Sequence, residues 1–96
     1  MSDLICRVPH ISDHITTRLL GHEAFIMNLK TLKTYALNET AARIWCFIDS
    51  MSTVGDIIRK IESEYTITNE NLIEDISEII KRFEKENLIV FEDTHV

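Results

Sequence analysis

The stretch KTYALNETAARIW, residues 33–45, changes its periodicity part-way along, and this change decides the fold. Residues 33–37 alternate as a strand does, which puts two sets of side chains on opposite faces: Lys33, Tyr35 and Leu37 on one, Thr34 and Ala36 on the other. Asn38 is a favoured helix N-cap, because its side chain can accept a hydrogen bond from a first-turn N–H group. Apolar residues then recur at helical spacing: Ala41, Ile44, Trp45 and Ile48. The sequence therefore predicts a strand that runs directly into a helix.

Length and composition indicate one globular domain. The chain has 96 residues, of which 45% are apolar, and it contains only two glycines and one proline. A chain of this length can build one core, and its composition is not that of a disordered segment. No apolar run approaches membrane-spanning length, and residues 1–10 lack the apolar region of a signal peptide. These features predict a cytoplasmic protein without a membrane association.

Three strand-like segments are followed by three helix-like segments. The strands are predicted at residues 14–20, 23–29 and 33–37, separated by short turns. The helices are predicted at residues 39–49, from Thr53 to about Tyr65, and from Thr68 or Asn69 to Asn87. A short further strand is possible at residues 89–91. Residues 1–12 and 92–96 are interpreted as tails, which leaves residues 13–91 as the domain.

The order of the segments predicts the fold class. A three-stranded antiparallel sheet cannot bury one face alone, so the helices must pack on it. Two short helices followed by a longer third one resemble a helix-turn-helix with the sheet as its wing. We therefore expect an α+β fold, a small winged helix-turn-helix. Its third strand, short and directly followed by a helix, is expected at a sheet edge, where another chain could pair with it.

The sequence contains no motif for catalysis, a metal or a cofactor. The two cysteines have no zinc-site spacing, and the glycines stand alone, so no phosphate-binding loop is predicted. The run that begins at His22 and Glu23 resembles the start of a zinc-protease motif but lacks its second histidine. We therefore expect no catalytic residues, no metal ligands and no cofactor, which favours a binding protein over an enzyme.

Several separated runs carry a resemblance to a known family. They are NLKT at 28–31, YALNETAARIW at 35–45, Thr53 and Val54 with Ile57, Asp75 with Ile76, Ile79 with Ile80, Phe83 and Leu88. Spread over residues 14–90, they resemble the coenzyme PQQ synthesis protein D (PqqD) family. Two positions depart from its pattern: Leu32 stands where glycine is frequent, and Asn87 replaces a common glycine before the leucine.

The resemblance implies a RiPP recognition element, a non-catalytic adaptor. Such an adaptor binds the leader segment of a ribosomally made precursor peptide and delivers it to a modifying enzyme or a leader peptidase. In this family the leader adds a strand to the third strand and packs into a groove against the third helix. The isoleucine-rich, glycine-poor composition favours the lasso-peptide type, which serves a leader peptidase, over the PQQ type, which serves a radical-SAM enzyme.

Transferred to this sequence, the resemblance predicts ten peptide-binding residues. Five lie on the strand: Lys33, Thr34, Tyr35, Ala36 and Leu37. Five lie on the third helix, whose apolar stripe is centred near Ile76 and carries Asp75, Ile79 and Arg82 along one flank: Leu72, Asp75, Ile76, Ile79 and Arg82. Leu72 and Ile79 are expected to form the floor of the groove, with Asp75 and Arg82 as its polar rim. The alternative for Ile79 is a place in the core.

A winged helix also suggests DNA binding. The charge pattern opposes it: the chain has a net charge of −6, and residues 1–37 hold four basic against three acidic side chains, so the acidity lies in the helical part. An acidic recognition helix repels phosphates, which supply most non-specific DNA affinity. We therefore expect no nucleic-acid partner.

Overall fold

Three strands from the first half of the chain form the sheet that carries the candidate site. The computed structural model describes residues 4–64 and 71–91. The strands in these residues are β1 (Pro9–Ile11), β2 (Ile15–Leu20), β3 (Glu23–Asn28), β4 (Thr34–Leu37) and β5 (Ile89–Phe91). The helices are α1 (Glu39–Cys46), α2 (Val54–Glu64) and α3 (Leu72–Lys85), preceded by a single 3-10 turn at Leu4–Cys6. The predicted α+β class is confirmed.

Among the described residues the main sheet has the antiparallel order β2-β3-β4, so β4, the predicted third strand, lies at its edge as expected. Alternation along β3 separates two faces. Ala24 and Ile26 are completely buried on the face that α1 covers, whereas Phe25 and Met27 are half-buried on the other. In β4, Leu37 pairs with Ala24 and Tyr35 with Ile26, so both side chains lie on the helix-covered face.

The junction between β4 and α1 has the predicted cap. The Asn38 side chain accepts a hydrogen bond of 2.9 Å from the Ala41 N–H group, which satisfies a donor in the first turn of α1. The prediction that this helix extends to residue 49 is wrong, since α1 ends at Cys46. The Asp49 carboxylate instead accepts the N–H groups of Met51 and Ser52 and fixes a turn there.

The prediction of a tail at residues 1–12 is wrong for two segments, Leu4–Cys6 and Pro9–Ile11, which form regular structure. β1 pairs antiparallel with β5, which makes a second, two-stranded sheet and confirms the short strand expected at 89–91. The turn at Leu4–Cys6 packs on α2 at Gly55, where an added Cβ would lie 2.7 Å from a side-chain carbon of Ile5. Glycine therefore permits this close approach. The predicted start of the third helix, Thr68 or Asn69, lies outside the described residues, as do Tyr65 and 92–96.

The two residues that depart from the family pattern both adopt a left-handed backbone. Leu32 has a φ of 64° and Asn87 a φ of 63°. Asn87 follows α3, and the Leu88 N–H group bonds to the Phe83 carbonyl at 2.9 Å, as in a helix C-terminal cap. Asparagine tolerates this conformation better than leucine does. The turn before β4 therefore keeps a glycine-like geometry at Leu32 despite the side chain.

A reciprocal cap at the start of α2 makes stability depend on pH. Asp56 accepts the Thr53 N–H group at 3.0 Å, and the Thr53 hydroxyl accepts the Asp56 N–H group at 3.1 Å. The pKa of the Asp56 carboxyl is lowered, first by its hydrogen bond with the Thr53 main chain and then by its interaction with the Thr53 side chain. The nearby Arg59 lowers this pKa further. Because the folded-state pKa lies below the unfolded value, the stabilisation is complete above the unfolded pKa and is lost as the pH falls through the folded one.

We therefore expect Asp56→Asn to destabilise the chain more at pH 7 than at about pH 3, near or below the unfolded carboxyl pKa of about 3.9. Urea unfolding of the parent and the variant at both pH values measures this difference. Glu62→Gln, on the exposed side of α2, gives the background effect of removing one carboxylate. A penalty for Asp56→Asn that stays constant between the two pH values would contradict a charge-dependent cap.

Candidate functional site

Within residues 4–64 and 71–91, no strand pairs with the side of β4 that faces away from β3. This open edge presents main-chain hydrogen-bonding groups at alternate residues. The Asn28 N–H group bonds to the Lys33 carbonyl at 3.0 Å, which marks this pair as a hydrogen-bonded one. In an antiparallel ladder such pairs alternate with pairs that address their groups outward. By the β3–β4 register, Tyr35 and Leu37 therefore bond inward to β3. The N–H and C=O groups of Thr34 and Ala36 point away from the sheet.

The other edge of the sheet provides an internal check on this assignment. The Leu29 N–H group bonds to the His14 carbonyl at 2.7 Å, so odd-numbered residues of β3 bond to β2 and even-numbered residues to β4. The hydrogen bonds on the two sides of β3 therefore give the same assignment of inward-facing and outward-facing residues. On β2, the outward-facing main-chain groups belong to Ile15, Thr17 and Leu19.

One flank of α3 forms the wall of a groove beside this region. The apolar stripe of α3 is buried in the core: Leu72, Ile76, Ile80 and Phe83. The adjacent flank carries Asp75, Ile79 and Arg82, spaced four and three residues apart and hence on one side of the helix. With Glu78 and with Thr40 of α1 they line a cavity of about 370 Å³. We call the space between the open edge of β4, Thr40 and this flank of α3 the β4–α3 groove.

The structure brings together some of the predicted site residues and separates others. Asp75 and Arg82 are exposed at the rim, and Ile79 is half-buried at the floor between them. Ile76 has no exposed surface, and Leu72 is only 8% exposed, as is Leu37 on the strand. These three side chains belong to the buried core and do not line the cavity, so the expectation that Leu72 forms part of the groove floor is wrong. Lys33, Thr34 and Ala36, by contrast, are exposed.

Sequence reasoning missed a contact that spans the far end of the groove. The Tyr35 hydroxyl donates a hydrogen bond of 3.2 Å to Oε1 of Glu86, one turn beyond Arg82 along the chain. Partial burial and the hydrogen bond to the neighbouring Glu86 carboxylate raise the pKa of the Tyr35 hydroxyl. The two residues are 51 positions apart, so no local pattern reveals their contact. Thr40 and Glu78 were also missed, although Glu78 lies on the same flank of α3 as Asp75 and Arg82.

Within residues 4–64 and 71–91, no three histidine, cysteine, aspartate or glutamate side chains are placed to hold a metal ion. Cys6 and Cys46, both exposed, are free thiols. None of the described helices combines the length and apolar character that a membrane crossing requires. What the groove offers is an open strand edge, an apolar floor and a charged rim.

The comparison with family models decides the family. The model described as coenzyme PQQ synthesis protein D (PqqD) matches residues 23–89, well over half of the chain. The chain belongs to the PqqD family. The matched residues of this PqqD-family chain include the whole of β4 and α3, the two elements that form the groove. Curated protein sequences give no significant match.

Solved structures share the fold of this PqqD-family chain at low sequence identity. One is described as TbiB1 in complex with the TbiA(beta) leader peptide, with 18% identity, a TM-score of 0.76 and coverage of 91% of this chain and 98% of that one. Another is a lasso peptide synthetase B1 complexed with the leader peptide, with 16% identity, a TM-score of 0.74 and coverage of 85% and 96%. The heterocyclase TruD has 13% identity and a TM-score of 0.67, and the match covers 94% of this chain but 12% of that one.

Proposed function

We propose that this chain is a non-catalytic adaptor for the leader segment of a ribosomally synthesised precursor peptide. The leader adds a strand to the open edge of β4 and places alternate side chains in the β4–α3 groove. The adaptor then delivers the precursor to a modifying enzyme or a leader peptidase in the cytoplasm. The observation that carries the proposal is the outward orientation of the main-chain groups of Thr34 and Ala36, on the edge strand that leads into Thr40 of the cavity lining.

Main-chain groups at a sheet edge can bind an extended peptide of many sequences. Each outward residue of β4 offers one donor and one acceptor, so Thr34 and Ala36 together provide up to four hydrogen bonds to an added strand. Such bonds give affinity, while pockets for alternate side chains give specificity. The groove supplies those pockets, with Ile79 as its apolar part and Asp75 and Arg82 as charged groups at its rim.

The comparisons support a leader peptide as the ligand. Two of the solved structures with this fold are complexes with leader peptides, and one of these proteins is a lasso peptide synthetase component. In the heterocyclase TruD the matched region is a small part of a much longer chain, so this fold can occur within an enzyme. An adaptor raises the local concentration of a substrate near its enzyme and needs no reactive group of its own.

A direct titration tests the proposal and its main competitor together. The probe is a fluorescently labelled synthetic peptide with the leader sequence of the precursor encoded beside this chain's gene. We expect its anisotropy to rise with protein concentration and to saturate, while a scrambled peptide of the same composition shows no saturation. A leader that binds no better than its scrambled form would contradict the adaptor function.

In the same assay we expect labelled duplex DNA of random sequence to remain unbound at micromolar protein and moderate salt. Within α3, four acidic side chains oppose three basic ones: Glu74, Asp75, Glu78 and Glu84 against Lys81, Arg82 and Lys85. Such a helix gains little from phosphate contacts. Micromolar DNA affinity that weakens steeply with salt would favour the winged-helix DNA-binding alternative instead.

A further inference from the structure

The register of β4 assigns the side chains of an added strand to two faces. Residues that pair across strands share a face of the sheet. Tyr35 and Leu37 lie on the helix-covered face with Ile26 and Ala24, so leader residues opposite Tyr35 and Leu37 would point towards α3. Leader residues opposite Thr34 and Ala36 would lie on the outer face with Phe25 and Met27. The leader thus presents every second side chain to the groove.

The groove is not uniform along this direction. Its end at α1 holds the cavity of about 370 Å³, which Thr40, three residues after Leu37, lines together with Ile79. Towards the start of β4, the hydrogen bond of 3.2 Å from Tyr35 to Glu86 joins the strand directly to the end of α3. Both residues are partly buried there. The space beneath an added strand is therefore open at one end and occupied at the other.

We propose that the Tyr35–Glu86 hydrogen bond acts as a stop that sets a size rule for the leader. The groove-side leader residue at the cavity is a large apolar one, and the groove-side residue two positions away, opposite Tyr35, is small, such as glycine, alanine or serine. This inference rests on the proposed strand addition and assigns Tyr35 and Glu86 as the residues that determine specificity. A large side chain opposite Tyr35 has to break the Tyr35–Glu86 contact before it can enter the groove.

The chemistry of each end supports this rule. At the cavity, the half-buried Ile79 gains from contact with apolar surface, since burial of such surface is the main source of affinity in a groove. At the other end, displacing Tyr35 would leave the Glu86 carboxylate without its hydroxyl donor and beneath a bound peptide. Ile79 therefore selects an apolar leader residue at the cavity, whereas Tyr35 and Glu86 select a small leader residue at the other end.

A displayed library tests the rule without knowledge of the natural leader. The probe is a yeast-displayed library of random 12-residue peptides, sorted against the labelled full chain. Three variants are sorted in parallel: Glu86→Ala, Tyr35→Phe and, as the matched control, Glu84→Ala, which removes an exposed carboxylate from α3. Tyr35→Phe removes only the hydroxyl and leaves the Glu86 charge in place. Thermal melting of each variant confirms that it is folded. If Glu86→Ala does not fold, Tyr35→Phe alone tests the size rule.

The parent and Glu84→Ala should enrich peptides with a large apolar residue and a small residue two positions apart. Glu86→Ala and Tyr35→Phe should keep the preference for a large apolar residue at the cavity and lose the preference for a small residue opposite Tyr35. At the position opposite Tyr35, large residues should become at least fivefold more frequent than with the parent. A parent that accepts large residues at both positions, or variants with the parent's profile, would overturn the size rule while leaving strand addition intact. A folded parent that enriches no peptide would overturn the proposed function as well.

Discussion

Replacing Trp45 with alanine is expected to destabilise the fold by about 3–5 kcal/mol, because truncating a buried aromatic side chain removes apolar contacts and leaves a cavity. Trp45 is only 3% exposed. Its ring meets Phe83 of α3 edge-on, with centroids 5.3 Å apart, and its Nε1–H group donates a 2.9 Å hydrogen bond to the Thr17 hydroxyl of β2. This one side chain therefore ties α1 to both α3 and the sheet.

For a domain of this size, that loss corresponds to a fall in melting temperature on the order of 15–30 °C. The chain has one tryptophan, so unfolding is followed by far-ultraviolet circular dichroism rather than by fluorescence. Trp45→Phe, which keeps an apolar ring but loses the bond to Thr17, should lie between the alanine variant and the parent. A Trp45→Ala protein that melts with the parent would show that α1 does not pack against α3 as described.

Two proline substitutions at neighbouring positions of β4 are expected to have opposite consequences. Proline removes the N–H donor of its own residue. Tyr35 bonds inward, so Tyr35→Pro breaks the ladder to Ile26 and also removes the contact with Glu86, at a cost on the order of 3 kcal/mol. The Ala36 N–H group points outward, and its side chain is exposed, so Ala36→Pro should leave the domain folded. The preceding Tyr35 is already extended, as a residue before proline must be.

The opposite edge of the sheet supplies a matched control for the folded variant. Leu19 of β2 also directs its N–H group outward, and its side chain is 56% exposed. Leu19→Pro therefore makes the same chemical change at an edge that lies away from the β4–α3 groove. Equilibrium unfolding should rank the parent, Ala36→Pro and Leu19→Pro close together and Tyr35→Pro well below them. Equal stability of Tyr35→Pro and Ala36→Pro would contradict the assigned register.

Local sequence signals were sufficient for most elements of the fold. The alternation in residues 33–37 and the cap at Asn38 predicted β4 and the start of α1. The helix predicted from Thr53 begins there, with a reciprocal cap between Thr53 and Asp56. Each signal acts over a few residues and depends on hydrogen bonds that the chain makes with itself. The spacing of Asp75, Ile79 and Arg82 likewise placed them on one flank of α3, where they line one cavity.

Features that depend on residues distant in the sequence could not be predicted in this way. β1 is three residues long, begins with a proline and pairs with β5 about eighty residues later, so no periodicity in the first twelve residues reveals it. The contact of Tyr35 with Glu86 is of the same kind. Leu72 and Ile76 were predicted to bind the peptide but are buried, because the apolar pattern of α3 does not distinguish core residues from residues that line a groove.

The central claim is that the leader binds through the main chain of β4, and the affinity of Ala36→Pro for the leader tests it most directly. The measurement is the dissociation constant of the labelled leader peptide for the parent, Ala36→Pro and Leu19→Pro, each shown to be folded. Strand addition predicts that Ala36→Pro weakens binding at least tenfold, equivalent to about 1.4 kcal/mol, while Leu19→Pro binds as the parent does. A folded Ala36→Pro protein that binds the leader as tightly as the parent would contradict strand addition at this edge.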